Sequence, residues 1–223
     1  MKTWLIIPTA CLLLTATAHG GSNLVTNGDF SATNEFLLGW KYDYRDTGNS
    51  LWADNHELVS VINEDGRECV LDLRADFGRL QGAGQGTFVD SHPIPVTPGG
   101  RYKLTVTAKS GGPDCRILVE GYRWRPGVKP HAKPTLAEVR KCYRFAQVYF
   151  GPEKAGVWGG IKPGLGWVTA SQTFPEDPMS KLAQEKFNQV QFLVVHIIAI
   201  GGYCAPDGWG HLYVDDVKLE RIK

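Results

Sequence analysis

Methionine is scarce in this sequence, with 2 in 223 residues, and neither sign of charge dominates, with 24 Lys plus Arg against 23 Asp plus Glu. That near-balance argues against nucleic acid or an anionic membrane surface as the main partner, because both select for a basic excess. No apolar run reaches the roughly 20 residues of a membrane-spanning helix. No two cysteines lie at the short spacing typical of structural zinc. G-x-S-x-G and H-E-x-x-H are missing as well, and Gly82-Ala83-Gly84-Gln85-Gly86 runs straight into a strand without the helix of a phosphate loop. What the chain has in quantity is glycine (26), proline (13) and aromatic residues (11%), the composition of strands and turns. At 43% apolar and 21% charged, it can bury a core and is not a disordered tail.

Residues 1–18 read as an export signal. Lys2 supplies the basic end, Trp4 to Leu14 the apolar run, and Ala16-Thr17-Ala18 the small-residue cleavage pattern. The expected product is a secreted chain, extracellular or periplasmic, without a transmembrane anchor. Cleavage removes Cys11 and leaves Cys69, Cys115, Cys142 and Cys204. An even number in an exported chain predicts disulfides, with the connectivity left open.

Residues 19–223 carry no repeat and no linker, and so read as one domain. The clearest strand is Arg101 to Lys109, where Tyr102, Leu104, Val106 and Ala108 share one face and polar residues the other. Further strands are predicted at Leu58–Ile62, Cys69–Leu73, Thr87–Pro95, Cys115–Trp124, Val190–Ile200 and Leu212–Leu219. Antiparallel-type strands with tight turns and almost no crossover helices predict an all-β, two-sheet sandwich. The stretch from Pro126 to Gly166 reads as a long inter-strand insertion. Within it, Thr135-Leu136-Ala137-Glu138 has capping-box spacing and predicts a short helix through Val139, Cys142 and Tyr143. A second helical turn is predicted from Ser180 to Phe187.

Three segments carry a family resemblance: Asn23 to Phe30 followed by Gly39-Trp40, then Ile94 to Leu104, and finally Tyr213 to Leu219. Their order and spacing resemble the galactose-binding-like jelly rolls of the carbohydrate-binding modules attached to secreted xylanases and glucanases. The resemblance implies a two-sheet antiparallel jelly roll with a glycan groove. It also implies a structural calcium where the first and last strands meet. Asp215 and Asp29 are the metal candidates; where the family pattern has Glu after the Phe, this chain has Ser31. If Tyr213, Asp215, Val217 and Leu219 share one phase, Asp215 faces the core side, where a carboxylate needs a cation or a partner.

The strand Cys115–Trp124 suggests the ligand surface. With Cys115, Ile117 and Val119 facing inward, Glu120, Tyr122 and Trp124 line the outer face, flanked by Arg123. Flat aromatics stack on the C–H faces of sugar rings, and charged neighbours hydrogen-bond the hydroxyl edges. Trp52, beside Asp54 and His56, is a further candidate, and Trp124→Ala is expected to abolish polysaccharide retention. His196, in a very apolar strand, reads as a satisfied core imidazole.

These residues predict a non-catalytic carbohydrate-binding protein whose partner is a polysaccharide or glycan. It would act beside a separately encoded enzyme or within a surface complex. One alternative is a jelly-roll polysaccharide lyase or glycoside hydrolase, whose paired carboxylates no spacing here singles out. A second is a cell-surface protein-interaction module using the basic run Arg123, Arg125, Lys129, Lys133, Arg140, Lys141 and Arg144. That run would also select acidic over neutral polysaccharides.

Overall fold

The computed structural model describes residues 22–76, 86–148, 161, 164–175, 179–200 and 208–222. The predicted export signal and Cys204 lie outside these residues, as does the side chain of Cys115.

Eleven described strands form two antiparallel sheets. The first contains β1 (Trp40–Lys41), β4 (Thr87–Ser91), β10 (Phe192–Ile200), β7 (Asp114–Trp124) and β8 (Val139–Gln147) in that order, with β5 (Ile94–Pro95) also paired to β10. The second runs β2 (Val59–Glu64), β3 (Arg67–Asp76), β11 (Trp209–Arg221), β6 (Tyr102–Ser110), β9 (Val168–Phe174). Most neighbours in a sheet are distant in sequence, as a jelly roll requires. Every strand predicted from the sequence is present.

The alternation read in Arg101–Lys109 is the alternation of β6, where every second residue from Tyr102 to Ser110 is buried. Tyr102, Leu104, Val106 and Ala108 meet Leu71 and Leu73 of β3, Ile117 and Val119 of β7 and Val195 and Ile197 of β10 in one continuous core. β10, the central strand of its sheet, is fully apolar on its inner face and largely so on its outer face, where His196 is the polar exception.

Two expectations need correction. Thr135–Glu138 makes one arm of the predicted box, with the Thr135 backbone N–H and hydroxyl both donating to the Glu138 carboxylate at 2.8 Å, while the Glu138 N–H donates to the Thr135 carbonyl, not to its hydroxyl. The chain nevertheless turns there and continues as β8, so no helix forms over Val139–Tyr143. Pairing with β7 supplies the backbone bonds that an isolated helix would have made for itself. The second predicted turn is present as α1 (Lys181–Phe187), capped by Ser180, whose side chain accepts from the Ala183 N–H.

The other correction concerns the last strand. The β11–β6 register slips between Val214 and Asp216, leaving Asp215 as the extra residue of a bulge. Leu212 and Val214 point inward before it, and Val217 and Leu219 after it. Asp215 therefore shares the outward phase of Tyr213, not the phase of Val217. Its carboxylate forms an ion pair with Arg67.

Candidate functional site

The outer face of the first sheet is built by alternation. Tyr122 and Glu120 of β7, His196 of β10, Asp90 and Phe88 of β4, and Lys141 of β8 all project to this side. Over them lies the segment between β1 and β2, folded into 3₁₀ turns at Arg45–Thr47, Ser50–Trp52 and Asn55–Leu58. Asn55, fully buried, fastens it to β4: its amide donates to the Tyr42 and Phe88 carbonyls and its oxygen accepts from the Phe88 N–H. This fastening places Tyr44 4.4 Å and Trp52 5.4 Å from the Phe88 ring, centroid to centroid, as an aromatic wall.

Between that wall and the loop before β8 runs a groove made of three adjoining cavities. A cavity of about 410 Å³ carries Arg116, Glu120 and His196, and one of about 540 Å³ carries Arg125, Leu136 and Arg140; Trp52, Phe88, Asp90, Tyr122 and Lys141 line both. The third, about 600 Å³, continues from Lys41 and Asp46 past His92 and Lys133. These volumes are in the range of small-molecule sites.

The groove floor is a continuous polar network. Tyr44 Oη donates to Asp90 Oδ2 at 2.7 Å, and Asp90 Oδ1 lies 2.6 Å from His196 Nδ1. His196 Nε2 lies 3.3 Å from Tyr122 Oη and 3.4 Å from Glu120 Oε2. Glu120 also accepts from Tyr122 Oη and from Lys141 Nζ. Burial alone would lower the His196 pKa, but the Asp90 carboxylate, seconded by Glu120, outweighs it and raises the value above 6.5. Burial, reinforced by Glu120 and Asp90, pushes the Tyr122 phenol well above its ordinary value, so it stays a hydrogen-bond donor.

Of the five ligand candidates, Tyr122, Glu120 and Trp52 lie together in this groove. Trp124 shares their face but is half-buried, edge-on to Phe192 at 5.2 Å and 5.1 Å from His131. Arg123 points the opposite way in the alternation and donates to Gln189 beyond α1. His196, read as a core imidazole, sits on the floor of the groove. Asp90, Tyr44 and Phe88 were not singled out from sequence. The one available signal was Phe-Val-Asp in β4, which puts an aromatic and an acid on one face.

At the junction of the chain ends, Val217 N–H donates to the Gly28 carbonyl and Leu24 N–H to that of Leu219. Asn23 stitches both sides, accepting from the Val25 and Leu219 N–H groups and donating to the Val217 carbonyl. Asp29 accepts from the Ser31 N–H and hydroxyl. Burial, together with Asp215 and Asp29 nearby, raises the Asp216 pKa. Calcium takes roughly six to eight oxygens, yet Arg67 holds Asp215, and no group of three acid, His or Cys ligands gathers among the described residues. The donor set fits calcium poorly. Cys69 and Cys142 are free thiols, and Cys142 donates to the Gly121 carbonyl. No described helix is long and apolar enough to cross a membrane.

The fold is an all-β sandwich of two antiparallel sheets with jelly-roll strand order. No protein-family model matches the chain, and no curated protein matches it. Carbohydrate-binding modules predominate among the similar solved structures. One, TmCBM61 in complex with β-1,4-galactotriose, is 12% identical with a TM-score of 0.44, over 90% of this chain and 99% of that one. The second N-terminal cellulose-binding domain of Cellulomonas fimi β-1,4-glucanase C is 12% identical with a TM-score of 0.43, over 92% and 98%. A CBM4 structure is 14% identical with a TM-score of 0.39, over 88% and 99%.

Proposed function

We propose that this protein is a secreted carbohydrate-binding protein that holds a polysaccharide in the groove over β4, β10, β7 and β8. The observation that carries this reading is the pairing of the aromatic wall, Trp52 with Tyr44 and Phe88, with the charged floor Asp90–His196–Glu120–Lys141. Rings offer flat apolar area to sugar C–H faces, and a floor of fixed, mutually oriented donors and acceptors meets the hydroxyls without reorganising. Each floor acid already holds at least two partners, which suits recognition better than proton exchange.

Trp52→Ala should weaken polysaccharide retention by about 2 kcal/mol, roughly 30-fold, with a melting temperature lowered by only a few degrees. Trp124→Ala should instead lower the melting temperature more than it weakens retention, because its ring is packed on Phe192 and His131. Gel retardation and thermal unfolding of both variants decide this. Undiminished retention by Trp52→Ala would remove the wall from the site.

One observation favours a second reading. Asp90, His196 and Tyr122 form an acid–imidazole–phenol relay, with contacts of 2.6 and 3.3 Å, of the kind used to move a proton. The polysaccharides used for retention should therefore also be assayed for new reducing ends and for the ultraviolet absorbance of unsaturated uronate. Product supports a lyase or hydrolase, and retention without product supports the binding protein.

The structural calcium that the family resemblance implies at Asp29 and Asp215 is tested separately. Given the Arg67 ion pair, millimolar calcium should shift the melting temperature by less than about 2 °C, equivalent to under roughly 1 kcal/mol in a domain of this size. A larger rise, reversed by chelation, would place an ion there.

A further inference from the structure

Every acid that lines the groove has a basic partner within the protein. Asp46 pairs with Lys41 at 2.6 Å, and Asp43 with Arg45 at 2.5 Å. Asp90 is taken by His196, and Glu120 by Lys141 and His196. The bases are not matched in the same way. Arg125 lines the central cavity and Lys133 the adjoining one, and neither has a carboxylate partner among the described residues; Arg140 borders the central cavity but, as the register partner of Arg123, belongs to the opposite face of the sheet. Arg125 is further restrained, because its Nε donates to the Val139 carbonyl at 3.0 Å and its backbone N–H to the Glu138 carbonyl. Its remaining guanidinium donors keep a fixed origin at the cavity's edge, an arrangement suited to gripping an anion through more than one hydrogen bond. Leu136, Ala137, Trp52 and Tyr44 border the same cavity and supply apolar area next to the charge.

We infer that the groove selects acidic polysaccharides, with Arg125 and Lys133 holding the anionic substituents while the aromatic wall takes the ring face. This inference rests on the carbohydrate-binding reading and specifies its ligand class: a sugar chain bearing carboxylates or sulfate esters. A neutral glycan would leave both cations without an anionic partner.

The test is binding of the whole protein to four polymers: polygalacturonate, a sulfated galactan, a neutral galactan and a neutral β-glucan. Each is measured at low salt and at about 0.5 M salt, where exposed charges more than a few ångströms apart are screened. At least one acidic polymer should bind about tenfold or more tightly than either neutral one, with that margin shrinking in high salt. Which acidic polymer binds identifies the anion as carboxylate or sulfate. The double variant Arg125→Gln/Lys133→Gln should lose about tenfold, and the single exposed change Lys133→Glu should lose a comparable amount without affecting folding. Lys181→Gln, on exposed α1, should change nothing, which separates a site from general charge attraction. Neutral polymers bound as tightly as acidic ones, or Lys133→Glu without effect, would overturn the acidic selectivity and leave the carbohydrate reading standing. Retention of none of the four would overturn both.

Discussion

His196→Ala should cost about 3–5 kcal/mol of folding stability, because it leaves Asp90 and Glu120 buried without their shared cation. For a domain of this size that is a fall in melting temperature of roughly 10 °C. The direction of the pH dependence follows from the same contacts. The folded-state pKa of His196 is raised above 6.5, so its contribution is fully present below pH 6.5 and is lost as pH rises through the folded value. Urea unfolding of the wild type should show that loss, and His196→Ala should not. A His196→Ala protein with an unchanged midpoint would mean that the floor network contributes nothing. Because the same imidazole orients Tyr122, the loss of stability should be accompanied by weakened glycan retention.

Gly28→Ala is the second large expected effect. An added Cβ would lie 2.1 Å from the Val217 carbonyl oxygen and 2.9 Å from Asn23 Nδ2. The first of these is backbone in a paired strand and has no room to withdraw. Relief requires moving the opening segment off β11, with loss of the Val217–Gly28 bond and disturbance of the Asn23 stitch. A cost of about 3 kcal/mol or more is expected, in the range of severe overpacking. Gly48→Ala is the natural comparison. Gly48 has a φ of +67° but nothing within 4 Å of an added Cβ, so it should cost only about 1 kcal/mol, the conformational penalty alone. Equal unfolding midpoints for the two variants would show that the close approach at Gly28 does not exist in solution.

That glycine also shows why some of this molecule was legible in sequence. Asn27-Gly28-Asp29-Phe30 was legible as a motif because its residues are adjacent, although the contact that demands its glycine, with the Val217 carbonyl, comes from the far end of the chain. β6 was equally readable because each of its side chains faces either core or solvent in strict alternation. β8 was not, for a definite reason. Its pairing with β7 slips twice, between Leu118 and Glu120 and again between Gly121 and Tyr122, so its apolar residues lose the two-residue period. Read alone, Val139, Cys142 and Tyr143 fall at helical intervals. Only the exposed hydrogen-bonding edge of β7, which sequence does not display, makes them a strand.

The candidate site was legible in part, for a related reason. Tyr122 and Glu120 sit two residues apart on one strand, so alternation alone placed them together. His196 and Asp90 come from strands 106 residues apart in sequence. An imidazole among valines and isoleucines reads as core until the facing acid is known. Trp52 was a candidate without a stated role because its position depends on Asn55 fastening a whole segment to β4. Trp124 obeyed the alternation but met Phe192 across the strand pair, a contact that pattern analysis does not predict.

The extra residue in β11 makes that strand tolerant of both length and identity at one position. The bulge absorbs Asp215, so that Leu212 and Val214 stay on the same side of the sheet as Val217 and Leu219. Excising it would leave those four residues in strict alternation, with Val214 still opposite Ala108 and Asp216 opposite Thr107. Exchanging it for another polar residue would forfeit little more than the Arg67 contact. Natural variation should therefore alter the side chain at this position freely, or lose the residue altogether, whereas a deletion elsewhere in the strand would turn one apolar row outward.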